Sequence, residues 1–197
     1  MKKKVTILVV WLVLSLGLVA LAMGPFTEET GAEDVQNDKG DQGGNDLDLD
    51  KLEPGDIILT RGSKFDGMVP GYWTHAIMYI GDGNVIESIE DGVVVRPVET
   101  VLTSNEAGAF RVSTNETVKE SVIDFALEQE GKPFDVVWVN KQVHGSSYYC
   151  AELIWASYQV NDVEIDENPG WSWNYANGVA PTEIAEHSNT YMVDHSE

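Results

Sequence analysis

Three residues carry the chemistry for which this chain can be read. Cys150, the only cysteine, stands in "SSYYCAELIWASY"; His75 and Glu87 stand twelve residues apart in "GYWTHAIMYIGDGNVIES". A thiol beside an imidazole is a nucleophile with its base. A carboxylate on the far side of the ring would orient the imidazole and stabilise its charged form. Attack by such a thiolate generates an oxyanion, whose natural donors here are the Cys150 backbone N–H and the hydroxyl of Tyr148 or Tyr149. Each residue also has a structural reading: Cys150 as a small buried hydrophobe, His75 as a satisfied strand residue, the tyrosines as core packing.

The elements around them decide between these readings. "CAELIWASYQ" has helical composition, and a helix opening at Cys150 puts Cys150, Leu153, Ile154, Ser157 and Tyr158 on one face, to pack on a sheet. A thiol in the first turn sits near unpaired N–H groups and the positive end of the helix dipole, which favours thiolate. His75 and Glu87 lie on two strands of a hairpin. A three-residue turn Gly81-Asp82-Gly83 would pair Ile80 with Asn84 and set Glu87 opposite Ile77, diagonal to His75 and within side-chain reach. A two-residue Asp82-Gly83 turn would send Glu87 to the other face and put Ser88 beside His75 instead.

Around this hairpin the stretches "DIILT", "HAIMYI", "NVIESI", "GVVVRPV" and "GAFRVS" read as short strands divided by Gly, Asp and Asn turns. "NETVKESVIDFALEQEG" carries Val118, Val122, Phe125 and Ala126 at helical spacing and predicts a helix over 116–130. The same stretch contains Asn115-Glu116-Thr117, a glycosylation-type triplet. The tail "PGWSWNYANGVAPTEIAEHS" reads as an aromatic loop and a short helix. The fold class is therefore α+β, a small antiparallel sheet followed by helices.

The chain has 197 residues and a net charge of −21, enough length for one full core plus a leader. Lys2, Lys3 and Lys4 precede an uncharged run from Val5 to Met23, so 1–26 is expected to be a signal peptide or membrane anchor. Residues 27–50 hold nine acids and one lysine and are expected to be a disordered linker; the domain is expected over 51–197. The Asp-rich "NDLDLDKLEPGD" lacks the central Gly and closing Glu of a calcium loop. A surplus of acids excludes a nucleic-acid role, because phosphate binding needs a basic face. One cysteine excludes an internal disulfide and leaves the thiol free.

Taken in order, "EPGDIILTRG", "THAIMYIGDGNVIES", "GKPFD", "YYCAELIWASY" and "APTEIAEHS" resemble the circularly permuted branch of the NlpC-like papain-fold hydrolases, the YiiX-like and YycO-like proteins. The resemblance spans about 52–193. It implies a small barrel-like sheet with the catalytic helix packed against it, Cys150, His75 and Glu87 as a triad in permuted order, and amide or ester hydrolysis through an acyl-enzyme with no metal or organic cofactor. The helix opens Cys-Ala-Glu where Cys-Ser-Glu is the commoner form, and "NPGWSWNYANG" has no counterpart.

The expected function is an extracytoplasmic cysteine amidase or peptidase acting on cell-envelope peptides. Trp171, Trp173 and Tyr175, with Trp73 beside the histidine, would form an aromatic wall of the cleft or a hydrophobic cover for the helix. One alternative keeps the triad for a lipid or acyl-ester substrate, which would demand an apolar entrance near Cys150 rather than a polar groove. Another is a non-catalytic envelope-binding module with a packed, inert Cys150. A zinc site from His75, Glu87, His144 and Cys150 matches donor type but no common zinc spacing. His187 and His195 carry no signal, and oligomeric state is not readable.

Overall fold

A computed structural model of the protein describes residues 44–62 and 66–196; the expected leader, 1–26, lies outside them. Among the described residues a six-stranded antiparallel sheet runs in the order β4-β3-β2-β1-β5-β6. Its strands are β1 (Ile57–Arg61), β2 (His75–Gly81), β3 (Asn84–Ile89), β4 (Gly92–Pro97), β5 (Glu106–Val112) and β6 (Thr190–Ser196). The alternation of each strand sends Ile57, Leu59, Ala76, Met78, Ile86 and Phe110 to one face, under the helices α1 (Glu116–Glu128) and α2 (Cys150–Gln159). The other face carries Ile58, Ile77, Val85 and Ala109 and is covered by a 3-10 segment, Val98–Thr103, and by Leu47. The expected α+β architecture is what forms, an antiparallel sheet with the helix that opens at Cys150 packed on one face.

α1 begins where the sequence predicts, because the Asn115 side chain accepts the Val118 N–H at 3.1 Å and caps the first turn. The glycosylation-type triplet thus has a helix-capping role. The helix ends at Glu128, two residues short of the expected boundary, as the chain turns toward Gly131. α2 occupies the expected span, and every residue from Ala151 to Tyr158 is buried, so it is a core helix on all sides. α3 (Pro181–Glu186) is the short helix expected in the tail.

One expectation needs correction. The spacer ends before residue 50: Leu47 is 4% exposed, the Asn45 side chain donates to Val101 O at 2.8 Å, and the Asp48 N–H donates to Asp194. Leu47 and Leu49 are enough apolar surface to seat this acidic stretch; positions 27–43 of the expected linker lie outside the described residues. Beyond the short helix α3 the tail forms a strand the sequence reading does not include, for "TYMVDHS" pairs with β5 as β6. Its edge position leaves Tyr191 and Met192 half exposed and blurs the alternation that marks a strand.

The hairpin that sets His75 against Glu87 combines features of both expected registers. Its turn is the two-residue Asp82-Gly83, both at positive φ (51° and 72°), with Gly81 paired to Asn84. Such a turn suits the twist of the flanking strands. A bulge at Ile80 then shifts the ladder by one, so that Tyr79 pairs with Val85 and Ile77 with Glu87. The expected Ile80–Asn84 pair does not form, yet Glu87 lands opposite Ile77. Ser88 faces away from His75 and donates to Tyr148 O at 2.6 Å.

Short braces fix the start of α2 to the sheet. In "GKPFD" the Gly131 N–H donates to Val93 O, and the Val93 N–H to Lys132 O, each at 2.8 Å. The same element then pairs with Tyr148, through Tyr148 N–H to Pro133 O and Asp135 N–H to Tyr148 O. Gly92 is required there, since a Cβ would collide with the Lys132 carbonyl oxygen. At the other end of α2 the buried Tyr158 hydroxyl donates to Gly55 O at 2.6 Å. Asp56, next in the "PGD" segment, is fully buried and holds Arg111 through two contacts of 2.8 Å. A bidentate pairing of this kind satisfies both oxygens of the buried carboxylate.

Candidate active site

His75 opens β2, and Glu87 reaches it from β3 along the diagonal, with His75 Nε2 and Glu87 Oε2 separated by 2.6 Å. That contact leaves Nδ1 for the other side of the ring, where Cys150 begins α2. Cys150 and His75 act on each other's charge and border one cavity. The three expected catalytic side chains are therefore gathered at one point, from β2, β3 and the first turn of α2.

The electrostatics follow from that arrangement. Burial pulls the His75 imidazolium down, but the Cys150 thiolate and then the Glu87 carboxylate outweigh it and raise the pKa to about 10. Burial pushes the Cys150 thiol up; the His75 charge, helped by the N–H groups of Ala76 and Ala151, brings it below the ordinary thiol value. Glu87, 4% exposed at its side chain, is likewise held below the usual carboxylate range by His75 and by Arg96, against the cost of burial. Both shifts favour thiolate and imidazolium over the neutral pair.

Glu152, two residues into the helix from Cys150, is fully buried. Its carboxylate accepts the Gln142 N–H at 2.8 Å and the Tyr149 N–H at 3.3 Å, bracing the helix start, while burial raises its pKa to about 7.

The cavity at Cys150 has a volume of about 510 Å³ and is walled mainly by Met68, Val69, Phe134, Val136, Trp138 and Tyr149. Met68 and Val136 are 69% and 78% exposed at its rim. This entrance is apolar. The wall contributed by "FDVVWV" is a site that sequence reasoning misses; its one signal is a run of apolar residues with neither helical nor strand alternation, directly after "GKP".

Several candidates fall elsewhere. Trp73 is 4% exposed and packs edge-on against Phe110 and His195, at centroid distances of 5.9 and 5.7 Å, so it is core rather than cleft wall. Trp171 and Trp173 meet edge to face at 4.7 Å on the surface, 58% and 91% exposed, and line no described cavity with Cys150. Tyr175 does border a small recess beside Cys150. The Tyr148 hydroxyl is turned inward, donating to Val143 O at 2.8 Å and accepting the Gly145 N–H, which removes it from the oxyanion candidates. Tyr149 borders the cavity, and its hydroxyl accepts the Val179 N–H at 2.8 Å.

His144 of the candidate zinc set packs on Phe125 at 5.8 Å. Among the described residues no group of three or more His, Cys, Asp or Glu side chains is placed to hold a metal ion.

Comparison with known proteins decides the family. The model of the permuted papain-like amidases, the YaeF/YiiX or C92 family, matches residues 51–194. The chain belongs to this family. It is thus a cysteine hydrolase of the amidase or peptidase-like kind, as the ordered motifs implied. A solved structure, described as metalloprotein yiiX from Escherichia coli O157:H7, shares the fold with a TM-score of 0.59 at 17% identity, over 73% of this chain and 97% of that one. No curated protein matches the chain. In this C92 member the cysteine follows the histidine in sequence, and the site is closed by bracing a late helix onto an early hairpin.

Proposed function

We propose that Cys150 is the nucleophile, His75 the general base and acid, and Glu87 the group that orients His75, in hydrolysis of amide or ester bonds whose acyl side is apolar. The thiolate sulfur attacks the carbonyl carbon. The Cys150 N–H is the first donor to the developing oxyanion and the Tyr149 hydroxyl, which accepts the Val179 N–H and keeps its own proton, the second, while the imidazolium gives its proton to the leaving nitrogen or oxygen as that bond breaks. Water then attacks the thioester, His75 takes its proton, and the acid leaves with the thiolate restored.

The observation that carries the choice of substrate is the apolar cavity opening at Cys150. Cell-envelope peptides, the leading expectation from sequence, would call for a polar groove; the apolar wall favours the acyl alternative. An acyl chain laid along Phe134, Val136 and Trp138 would be stabilised by about 0.8 kcal/mol for each methylene buried. The run Val5–Met23 behind three lysines supports an extracytoplasmic setting at a membrane, where such acyl compounds are found. The reading of a packed, inert thiol is disfavoured by the ionic pairing of Cys150 with His75.

The test is a series of N-acyl p-nitroanilides with acyl chains of increasing length. The expected outcome is a kcat/KM that rises about fourfold per methylene until the cavity is filled. Equal rates for short and long chains, with better turnover of charged peptide amides, would overturn the acyl assignment.

A further inference from the structure

Glu87 uses only one of its two oxygens on His75. The other, Oε1, accepts from Arg96 Nη1 at 2.9 Å. Arg96 stands on β4 opposite Val85, so it lies diagonal to Glu87 just as Glu87 lies diagonal to His75. Across β4, β3, β2 and α2 the side chains therefore form a row of guanidinium, carboxylate, imidazolium and thiolate. Four charges of alternating sign sum to zero. Without the first, the remaining three would leave a net negative charge around a carboxylate that is only 4% exposed at its side chain. Such an imbalance is costly away from water.

We infer that Arg96 is a positioning residue of the catalytic machinery: it holds Glu87 ionised and in the rotamer that meets His75 Nε2. The Arg96 side chain is itself 40% exposed. An ion pair between two exposed groups contributes little, but here the partner is buried, so the pairing works on a desolvated charge. Loss of Arg96 frees one carboxylate oxygen in a buried site and raises the pH at which Glu87 takes up a proton. Once Glu87 is neutral, the imidazolium loses its support and the thiolate loses its partner.

Arg96 also lines a second cavity of about 320 Å³ on the Glu87 side of His75, with Thr100, Thr103 and Ser104. Truncation of Arg96 would open directly into that space, so a small cation could enter and replace it. The contact with Glu87 is made by a single nitrogen, which a lysine ammonium can imitate.

This inference rests on the proposed triad, and the experiment separates the two. The full chain in detergent is alkylated with iodoacetamide from pH 4 to 10, the single cysteine making the readout unambiguous, for wild type, Arg96→Gln, Arg96→Lys and Arg96→Ala. Arg96→Gln is expected to move the acid limb of reactivity up by about one pH unit and to leave the rate at high pH unchanged. Arg96→Lys should restore most of the wild-type profile. Millimolar guanidinium, but not sodium chloride, should restore Arg96→Ala. A profile for Arg96→Gln that superimposes on wild type would overturn the inference, as would a loss that neither lysine nor guanidinium recovers. A wild-type thiol that reacts only as an ordinary one would instead sink the triad, and Arg96 with it.

Discussion

Two histidine–glutamate pairs with nearly the same separation sit in this domain: His75–Glu87 at 2.6 Å and His195–Glu106 at 2.7 Å. Their surroundings differ. The side chains of the first pair are 15% and 4% exposed; those of the second are 32% and 16%. Glu87 takes its second partner from a cation, Arg96, and His75 has a thiol on its free side. Glu106 shares the oxygen that meets His195 with the Tyr72 hydroxyl, and the His195 ring lies edge-on to Trp73 at the sheet edge. Distance alone therefore does not mark a catalytic pair. Arg61 also acts on the charge of Glu106, so what separates the two is deeper burial of the carboxylate, a cation bonded directly to its second oxygen and a nucleophile in front of the ring.

Replacing the nucleophile is the harshest way to test that contrast. Cys150→Ala should lower acyl-amide turnover about 10⁴-fold or more with no loss of folding, since alanine suits the helix start and fills most of the same space. Glu87→Gln comes next. Removing its charge destabilises the imidazolium, so the basic limb of turnover, where the leaving group needs that proton, should move down. It also weakens the ion pair, so the acid limb should rise, each by about 1–3 pH units. His195→Ala should leave the alkylation profile unchanged and alter stability by less than about 1 kcal/mol, read from urea unfolding. If His195→Ala raised the acid limb as Glu87→Gln does, the two pairs would be equivalent and the contrast would collapse.

Much of the site is legible in residue types and spacing, because it is built from local signals. The helix opening at Cys150, the His75 strand and the apolar alternation of β1 to β5 all follow from periodicity in "CAELIWASYQ", "HAIMYI" and their neighbours. The hairpin register is harder. Its outcome depends on a bulge at Ile80 that cancels the effect of the two-residue turn, and a bulge leaves no periodic trace beyond the Gly81 that follows it. Arg96 is legible only as a lone cation in the apolar strand "GVVVRPV", since its meaning requires the β3–β4 register. The cavity wall from 134 to 138 and the edge strand β6 escape for a shared reason: both leave large apolar side chains exposed, which hides the buried-face pattern. The aromatic loop misleads in the opposite direction, because its Trp171 and Trp173 suggest a cleft wall but stay exposed on the surface.

The pairing of Cys150 with His75 underlies everything else, and the alkylation rate of Cys150 against pH, in wild type and His75→Ala, reads it directly. A thiol already reactive well below pH 7 in wild type, whose reactivity in His75→Ala rises only near the ordinary thiol value of about 8.5, is the expected result. Identical profiles for the two proteins would contradict the pairing and leave Cys150 as a packed side chain.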